Sequence, residues 1–384
     1  MKLLHIADLH IGKRVNEFSM LEDQKYILKE ILKIADEHNP LGIIMAGDIY
    51  DKSVPPGEAV EVLDDFLTEL AARKIQVFIV SGNHDSPERL NFGSRIMQHT
   101  GVYIAGTFDG RLKHIVLNDE FGPLNIYLLP FIKPAVVSPH FQDQDIQSYE
   151  DAVKAIIDHE KIDPQERNIL VAHQFITGGS KEPERCDSET ISLGGLDNID
   201  AAVFDVFDYV ALGHLHGPQS IGWETVRYAG SPLKYSFSEA RHHKSLTMLQ
   251  LGDKGALDIR TVPLHPFRDM REIKGPLHEL IGTHGSSPEN DQDYIRAILT
   301  DEGELYDAIG QLRQVYPNIM RIDFDNSRSI EEINSKSAAY GDVAQKSPLE
   351  LFEEFYLKQN NVEMTAEELG MMEEVFEDAG GAGK

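Results

Sequence analysis

Five short apolar runs in the first 216 residues of this chain each end in a cluster of polar side chains. The runs cover residues 3 to 7, 43 to 46, 77 to 81, 169 to 172 and 209 to 212. Runs of this length without polar alternation are typical of strands that are covered on both faces, as in a parallel sheet. We therefore predict that the polar clusters lie at the ends of neighbouring strands, where ligands gather in α/β folds.

The first 110 residues alternate strand and helix patterns. Apolar residues at helical spacing predict helices over residues 20 to 38, 57 to 73 and 87 to 99. This alternation indicates βαβ units and a largely parallel sheet. A hairpin pattern over residues 112 to 130, with further strand-like runs up to residue 262, predicts a second, antiparallel or mixed sheet. The expected fold class is α/β, a sandwich of two sheets flanked by helices.

The remaining third of the chain predicts a second domain and a helical tail. A boundary is expected at residues 263 to 266, which assigns residues 1–265 to the first domain and 266–326, with a helix over 303 to 315, to a small α+β domain. A polar linker is predicted over residues 327–346, and amphipathic helices over 347–384. Four apolar or aromatic residues at helical spacing suggest that the tail docks on another surface: Leu349, Phe352, Phe355 and Tyr356.

Composition excludes several classes of protein. The 384 residues contain one cysteine, so no intrachain disulfide framework exists, and a reducing compartment is expected. We see no leader-like apolar segment and no run long enough to cross a bilayer, so a cytoplasmic protein without a membrane partner is predicted. The net charge of −28 argues against a protein that coats nucleic acid through bulk positive charge.

The polar clusters contain seven side chains that suit a pair of divalent metal ions. Asp8 and His10, like His214 and His216, are two residues apart, so each pair can point the same way from a strand end. Asp48 follows Gly47, which permits close backbone approach, and is the candidate for a carboxylate that bridges two ions. Asn83 and His173 complete the set. The seven donors predict a two-metal site.

Each cluster also has a simpler interpretation when it is taken alone. A single histidine such as His173 is more often a core residue than a ligand, and Gly-Asp is an ordinary turn dipeptide. Residues 83 to 85 would also suit a loop that caps the following helix. The joint occurrence of all the clusters, in order and each behind its own strand, favours the metal site.

The order D-x-H, G-D-x-x-D, G-N-H-D, H and G-H-x-H over residues 8 to 216 resembles the calcineurin-like metallophosphoesterase superfamily. The resemblance implies one ion held by Asp8, His10, Asp48 and His216, and another held by Asp48, Asn83, His173 and His214. Mixed nitrogen and oxygen ligands suit Mn²⁺, Fe or Zn²⁺ better than Mg²⁺. Two Mn²⁺ ions are the expectation, since Mn²⁺ is typical of the nuclease members.

Two further residues are predicted to take part in phosphoester hydrolysis. His84 adjoins the ligand candidate Asn83 but is surplus to the ligand set, so it is the candidate donor of a proton to the leaving group. Asp51, three residues after Asp48, is predicted to orient the His84 imidazole. A solvated loop carboxylate is the alternative for Asp51.

Residues 1 to 13 and 228 to 239 resemble, more narrowly, the DNA nucleases of this superfamily. That resemblance implies an exonuclease and endonuclease acting on DNA ends and hairpins in repair and recombination. It also implies a homodimer within a heterotetramer, a capping domain at 266–326, and a tail that binds an ATPase partner. The Walker A pattern is missing from the sequence, so ATP dependence would come from that partner. Candidate contacts to DNA phosphates are Lys13, Arg14, Lys52, Ser53 and Arg89.

Two other functions remain open from the sequence. One is a phosphodiesterase for nucleotides or another small molecule, which the extra C-terminal domain and tail disfavour. The other is a metal-binding scaffold that only recruits an ATPase. The presence of every expected ligand and of His84 disfavours the scaffold.

Overall fold

The computed structural model describes most of the chain. The described residues are 1–179, 182–189, 198–282, 292–303, 305–326, 349, 352, 353, 356, 364, 365, 368–372 and 375. The strands are β1 (Lys2–Ile6), β2 (Arg14–Val15), β3 (Phe18–Ser19), β4 (Gly42–Ala46), β5 (Gln76–Val80), β6 (Val102–Ala105), β7 (Lys113–Asp119), β8 (Gly122–Leu129), β9 (Arg167–His173), β10 (Ile176–Thr177), β11 (Ile199–Asp200), β12 (Tyr209–Gly213), β13 (Gln219–Ile221), β14 (Trp223–Tyr228), β15 (Ser245–Leu251), β16 (Leu257–Pro263), β17 (Met270–Gly275), β18 (Tyr294–Leu299) and β19 (Ile319–Phe324).

The helices mostly follow strands of the first sheet or precede strands of the second. They are α1 (Leu21–His38), α2 (Gly57–Ala72), α3 (Pro87–Leu90), α4 (Ser94–Met97), α5 (Pro134–Val137), α6 (Tyr149–Glu160), α7 (Leu277–Gly282) and α8 (Ala308–Arg313). Short 3₁₀ helices cover Gln98–Thr100, Ser138–His140, Ala201–Phe204 and Phe237–Glu239.

Two six-stranded sheets form the main body. The first has the order β16-β15-β1-β4-β5-β6, in which the last four strands are parallel and β15 and β16 pair antiparallel at one edge. The second has the order β13-β14-β12-β9-β8-β7, with four parallel central strands and an antiparallel strand at each edge. The predicted α/β class with a mixed second sheet is confirmed.

The hydrophobic core has three layers, which follow from side chains that alternate along each strand. Ile43 and Met45 of β4 pack in the cluster that includes α1 and α2, whereas Ile44 and Ala46 pack in the cluster between the two sheets. A third cluster joins the outer face of the second sheet to α6. Each central strand is buried on both faces, which explains why its sequence lacks polar alternation.

The strands that precede the polar clusters are neighbours. β1, β4 and β5 lie side by side and parallel in the first sheet, and β9 and β12 do so in the second. Parallel neighbours end at the same edge of a sheet, so the clusters meet there.

The predicted helix over residues 87 to 99 is wrong as a single element. It is two short helices, α3 and α4, joined by a turn in which Gly93 has φ +73°. A left-handed residue cannot continue an α-helix, and glycine adopts that conformation at little cost. The helix predicted over 303 to 315 is also shorter, since α8 covers only Ala308–Arg313.

The chain forms two compact units. The first comprises Met1–Ile273, His284–Arg296 and Arg313–Arg321, and the second comprises Lys274–Thr283, Ala297–Leu312 and Ile322–Lys384. A smaller sheet has the strand order β17-β18-β19. The domain limits predicted at 265, 326 and 346 stay predictions, and the predicted linker lies outside the described residues. In the described part of the chain, no helix is both long and apolar enough to cross a membrane.

Candidate metal centre

Backbone hydrogen bonds join the segment after β1 to the segment after β4. The Asp8 N–H donates to the carbonyl oxygen of Gly47 at 3.1 Å, and the His10 N–H donates to that of Asp48 at 2.9 Å. These bonds extend the β1–β4 pairing beyond the ends of both strands. They hold the Asp8 and Asp48 side chains in one small volume.

Four of the seven predicted ligands have a left-handed backbone. Their φ values are +54° at Asp8, +44° at His10, +48° at Asp48 and +105° at His214. Such values are uncommon for residues other than glycine, although aspartate and histidine tolerate them better than most. Strained conformations of this kind concentrate at functional sites, where surrounding structure holds them. Here the strain turns each side chain inward at a strand end.

Two glycines beside the ligands are required by close packing. A Cβ atom on Gly47 would overlap the imidazole ring of His173, and one on Gly82 would overlap the carboxylate and backbone nitrogen of Asp48. Gly47 also has φ +85°. Glycine at both positions therefore allows the predicted ligands to approach one another.

One group of candidate ligands surrounds His10. Asp8, His10 and His216 offer ligand atoms that all lie within 4.8 Å of one another, and all three residues are buried. The Nε2 atoms of His10 and His216 are 3.1 Å apart. Two nitrogens at this separation can bind one ion, because metal–nitrogen bonds of about 2.0–2.1 Å are typical for zinc.

A second group surrounds His173. Its Nε2 atom lies 3.0 Å from Asn83 Oδ1, which is also 3.0 Å from His214 Nδ1. The Oδ2 atom of Asp48 is 3.5 Å from His173 Nε2 and 3.5 Å from His10 Nε2. The structure thus brings all seven predicted ligands together and places the Asp48 carboxylate between the two groups.

Buried polar atoms without hydrogen-bond partners also indicate that the seven donors fit bound cations. Asp8 Oδ2 and His10 Nδ1 are buried, and neither has a hydrogen-bond partner in the described part of the chain. A buried carboxylate oxygen without a partner is costly, and most buried polar atoms are paired. Asp8 and Asp48 are both almost fully inaccessible to solvent. Positive ions bound by the two groups of candidate ligands would give the Asp8 oxygen a partner and would compensate the charge of both carboxylates.

The pKa values of the candidate ligands are strongly perturbed. Burial lowers the pKa of His173, but the Asp48 carboxylate more than offsets this effect and raises it to about 9. Burial raises the pKa of Asp8 to about 7, although His173 acts in the opposite direction. Burial and the charge of His173 lower the pKa of His214 to about 3. Without metal, a proton on His173 therefore compensates the charge of Asp48.

Asp85 has a structural role that the sequence did not reveal. Its carboxylate accepts hydrogen bonds from the backbone N–H groups of Gly82 (2.9 Å), Ile49 (3.1 Å) and Tyr50 (2.9 Å). It thereby ties the segment after β4 to the segment after β5. Burial and the nearby Asp48 raise the pKa of Asp85 to about 7. Its position at the end of the G-N-H-D block was the available signal.

His84 lies beside the ligands, but its contact with Asp51 differs from the prediction. The His84 N–H donates to Asp48 Oδ1 at 2.9 Å, and His84 Nδ1 donates to the main-chain carbonyl of Asp51 at 3.0 Å. The Asp51 carboxylate instead accepts a hydrogen bond from Lys13 at 2.8 Å and lies 3.7 Å from His10 Nδ1. The main-chain carbonyl of Asp51 therefore orients His84, while the Asp51 side chain faces Lys13 and His10.

The remaining predicted contact residues occupy different environments. Lys13 is half-buried in its ion pair with Asp51, whereas the other four candidates for phosphate contact are exposed: Arg14, Lys52, Ser53 and Arg89. In the tail, Leu349, Phe352 and Tyr356 are helical and half-buried, and the Tyr356 hydroxyl donates to Glu368 Oε1 at 3.1 Å. Phe355 lies outside the described residues.

Comparison with protein families identifies the class to which this fold and site belong. Residues 1–218 match the family model for calcineurin-like phosphoesterases, and residues 266–360 match the model described as the type 5 capsule protein repressor C-terminal domain. The chain belongs to the calcineurin-like phosphoesterase family. The resemblance of its motifs to that superfamily is therefore confirmed.

Among individual proteins, the chain is similar to SbcD, a subunit of the nuclease SbcCD, from Staphylococcus epidermidis. The two are 35% identical over 343 residues, which cover 88% of this chain and 89% of that protein. Two similar solved structures are a phosphopantetheinyl hydrolase from Mycobacterium tuberculosis and a dimetal phosphatase from Danio rerio. The first shows 16% identity, covers 68% of this chain and 95% of that chain, and has a TM-score of 0.36. The second shows 13% identity, covers 69% of this chain and 96% of that chain, and has a TM-score of 0.40.

We expect Mn²⁺ binding to release protons. At pH 7 His173 is protonated in the metal-free protein and Asp8 partly so, but a ligand must present a lone pair. Binding should therefore release about one proton or more, and the apparent affinity should rise with pH up to about 9. Titration calorimetry in buffers of different ionisation enthalpy measures this number directly. If the observed binding enthalpy did not change with the ionisation enthalpy of the buffer, no proton would be released, and the assignment of His173 and Asp8 as ligands would be contradicted. The control is His278→Gln, a substitution of an exposed histidine, which should release as many protons as the wild type.

Proposed function

We propose that this chain is a metal-dependent DNA nuclease that hydrolyses phosphodiesters at DNA ends and hairpins. The convergence of seven oxygen and nitrogen donors around the buried Asp48, with His84 beside them, carries the proposal of phosphodiester hydrolysis. DNA as the substrate is supported by the 35% identity to a nuclease subunit across most of both chains.

Two divalent ions are proposed as cofactors, with Mn²⁺ as the expected metal. One would be held by Asp8, His10, Asp48 and His216, and the other by Asp48, Asn83, His173 and His214. The bridging role of Asp48 is supported by the equal 3.5 Å distances from its Oδ2 atom to His10 and His173. When bound, such a pair of ions activates water for attack on phosphorus and neutralises the phosphate oxygens.

The protein itself contributes a positioned imidazole. His84 Nδ1 donates to the Asp51 carbonyl, which orients the ring, and Nε2 is proposed as the nitrogen that exchanges a proton with the substrate. In this proposal, His84 donates a proton from Nε2 to the leaving 3′ or 5′ oxygen. Asp51 acts through its backbone, and its carboxylate pairs with Lys13 and lies 3.7 Å from His10 Nδ1.

Exposed residues around the site are proposed to contact DNA phosphates. Lys52 and Ser53 follow Asp51 directly, and Arg89 lies in α3, which begins shortly after His84. Arg14 is exposed in β2. Lys13 is a weaker candidate for phosphate contact than the four exposed residues, because its ammonium group is already paired with Asp51.

An SbcC-type ATPase is the proposed partner of the tail, and a homodimer within a heterotetramer is the proposed assembly. The tail proposal is supported by the described aromatic and aliphatic side chains of residues 349 to 356 and by the family match that extends to residue 360.

The dimer is supported by two large apolar side chains near one another in sequence, Phe92 (85% exposed) and Ile96 (76% exposed). Work in DNA repair and recombination, in the cytoplasm, remains part of the same proposal.

The nuclease activity is tested with purified protein, Mn²⁺, a hairpin DNA and bis-p-nitrophenyl phosphate. We expect cleavage of both substrates. Activity on the small ester alone would favour a small-molecule phosphodiesterase, and activity on neither would favour a metal-binding scaffold.

His84→Gln should bind both ions but lose about 10²- to 10⁴-fold in kcat, the usual contribution of a general acid. Loss of an ion in this variant would show that His84 is a ligand.

Removal of residues 347–384 should leave Mn²⁺-dependent cleavage of the small ester unchanged, because the described metal centre contains none of these residues. The truncated protein should no longer co-purify with the ATPase partner. Retained co-purification would refute the docking role of the tail. A matched control is the full-length chain with Met371→Ser, an exposed tail residue that is not one of the four apolar residues predicted to dock.

Phe92→Asp should convert the dimer to a monomer, because a carboxylate cannot be buried in an apolar interface without a partner. Light scattering coupled to size-exclusion chromatography measures the change in mass. The control is Phe267→Asp, a similarly large and exposed side chain elsewhere on the first unit. A wild-type mass for Phe92→Asp would place the dimer surface elsewhere.

A further inference from the structure

The ring nitrogen of His216 that points away from the metal centre has a short polar contact. His216 Nδ1 lies 2.7 Å from the Ser188 hydroxyl oxygen, and that hydroxyl donates a hydrogen bond to Glu239 Oε1 at 2.6 Å. Glu239 is completely buried. The three side chains therefore form a chain of hydrogen bonds that runs from the predicted ligand into the protein interior.

The direction of these bonds follows from the number of protons. A hydroxyl has one proton and a carboxylate has none to give, so the Ser188 proton lies toward Glu239. The Ser188 oxygen must then accept a hydrogen bond from His216, which places a proton on Nδ1. Nε2, which faces His10 Nε2 at 3.1 Å, is left with its lone pair. This is the tautomer that a metal bound at Nε2 requires.

Glu239 is held as a carboxylate by its own partners. Lys244 Nζ donates to Glu239 Oε2 at 2.5 Å, and the Tyr235 N–H donates to Oε1 at 3.2 Å. Lys244 also donates to the main-chain carbonyl of His216 at 2.9 Å. The same buried ammonium group therefore fixes both the acceptor at the end of the chain and the backbone of the ligand.

The segment that carries Ser188 is attached to His216 at a second point. Glu189 Oε1 accepts a hydrogen bond from the His216 N–H at 2.7 Å, and Glu189 Oε2 accepts one from the Cys186 N–H at 2.9 Å. This segment is a loop outside both six-stranded sheets. His173 obtains the equivalent bond from a strand, since its Nδ1 donates to the Ala46 carbonyl at 2.8 Å.

We propose that Ser188 and Glu239 are positioning residues that hold His216 in the Nδ1–H tautomer and aim Nε2 at one of the two metal ions. The inference rests on the proposed function in one respect, namely that His216 is a metal ligand. It adds that the two ions differ in their dependence on the 186 to 189 loop. The ion held by His216 needs the loop, whereas the ion held by His173 does not.

The test is a Mn²⁺ titration of the full-length protein followed by electron paramagnetic resonance, in which free hexaaquo Mn²⁺ is counted. We expect Ser188→Ala to weaken one of the two bound ions about 10- to 100-fold, as is typical when the outer partner of a metal-binding histidine is lost, and to leave the other unchanged. Ser188→Thr keeps the hydroxyl and should restore binding to within about threefold of the wild type. Thermal unfolding in EDTA checks that the metal-free variants remain folded.

The outcomes separate the inference from the function on which it rests. If the wild type binds no Mn²⁺, the proposed function fails. If the wild type binds two ions and Ser188→Ala binds them equally well, the positioning role alone is wrong. Equal weakening by the Thr and Ala variants would show that packing, not the hydroxyl, matters, and would also overturn it. If Ser188→Ala does not fold, ¹⁵N chemical shifts of His216 in wild-type protein and in Glu239→Gln report the tautomer directly, and an Nε2–H wild type refutes the proposal.

Discussion

The structure depends on the burial of the Asp48 carboxylate between two groups of histidines. Asp48 follows a central strand of one sheet, and His173 ends a central strand of the other, so the contact at 3.5 Å joins the two halves of the sandwich. A carboxylate buried to this degree needs compensating positive charge. In the metal-free protein, His173 supplies it and its pKa rises to about 9. Metal ions would supply it in the active form, at the cost of that proton.

The backbone around Asp48 shows how strongly the fold is adapted to this one position. Left-handed residues, close-packed glycines and the three hydrogen bonds accepted by Asp85 all serve to bring side chains from separate strand ends to the same point. A strained loop is stable only where the surrounding structure determines it. The two packed sheets provide that support, because their central strands are buried on both faces and leave little freedom at their ends.

Partners beyond the ligands orient three histidines of the site, and they come from different parts of the molecule. The Ala46 carbonyl of a central strand fixes His173, the Asp51 carbonyl fixes His84, and a hydroxyl in a loop contacts His216. Main-chain partners in a strand are as rigid as the sheet itself. A loop partner is less constrained, so the two metal positions are expected to differ in how firmly the protein holds them.

The amino-acid sequence is sufficient to predict the fold class, the strands that end in polar clusters, and the identity of the seven residues that the structure brings together. This is possible because burial on both faces leaves a continuous apolar run, and because the polar clusters occur together, in order and each behind its own strand. Which atoms of these residues meet depends on how the strands pair and pack. The contact of His84 with the Asp51 carbonyl, the three bonds to Asp85 and the bond from Ser188 to Glu239 join residues that are distant in sequence or that bond through their backbone. Such contacts have no periodicity, and they exist only once the strands have paired and packed.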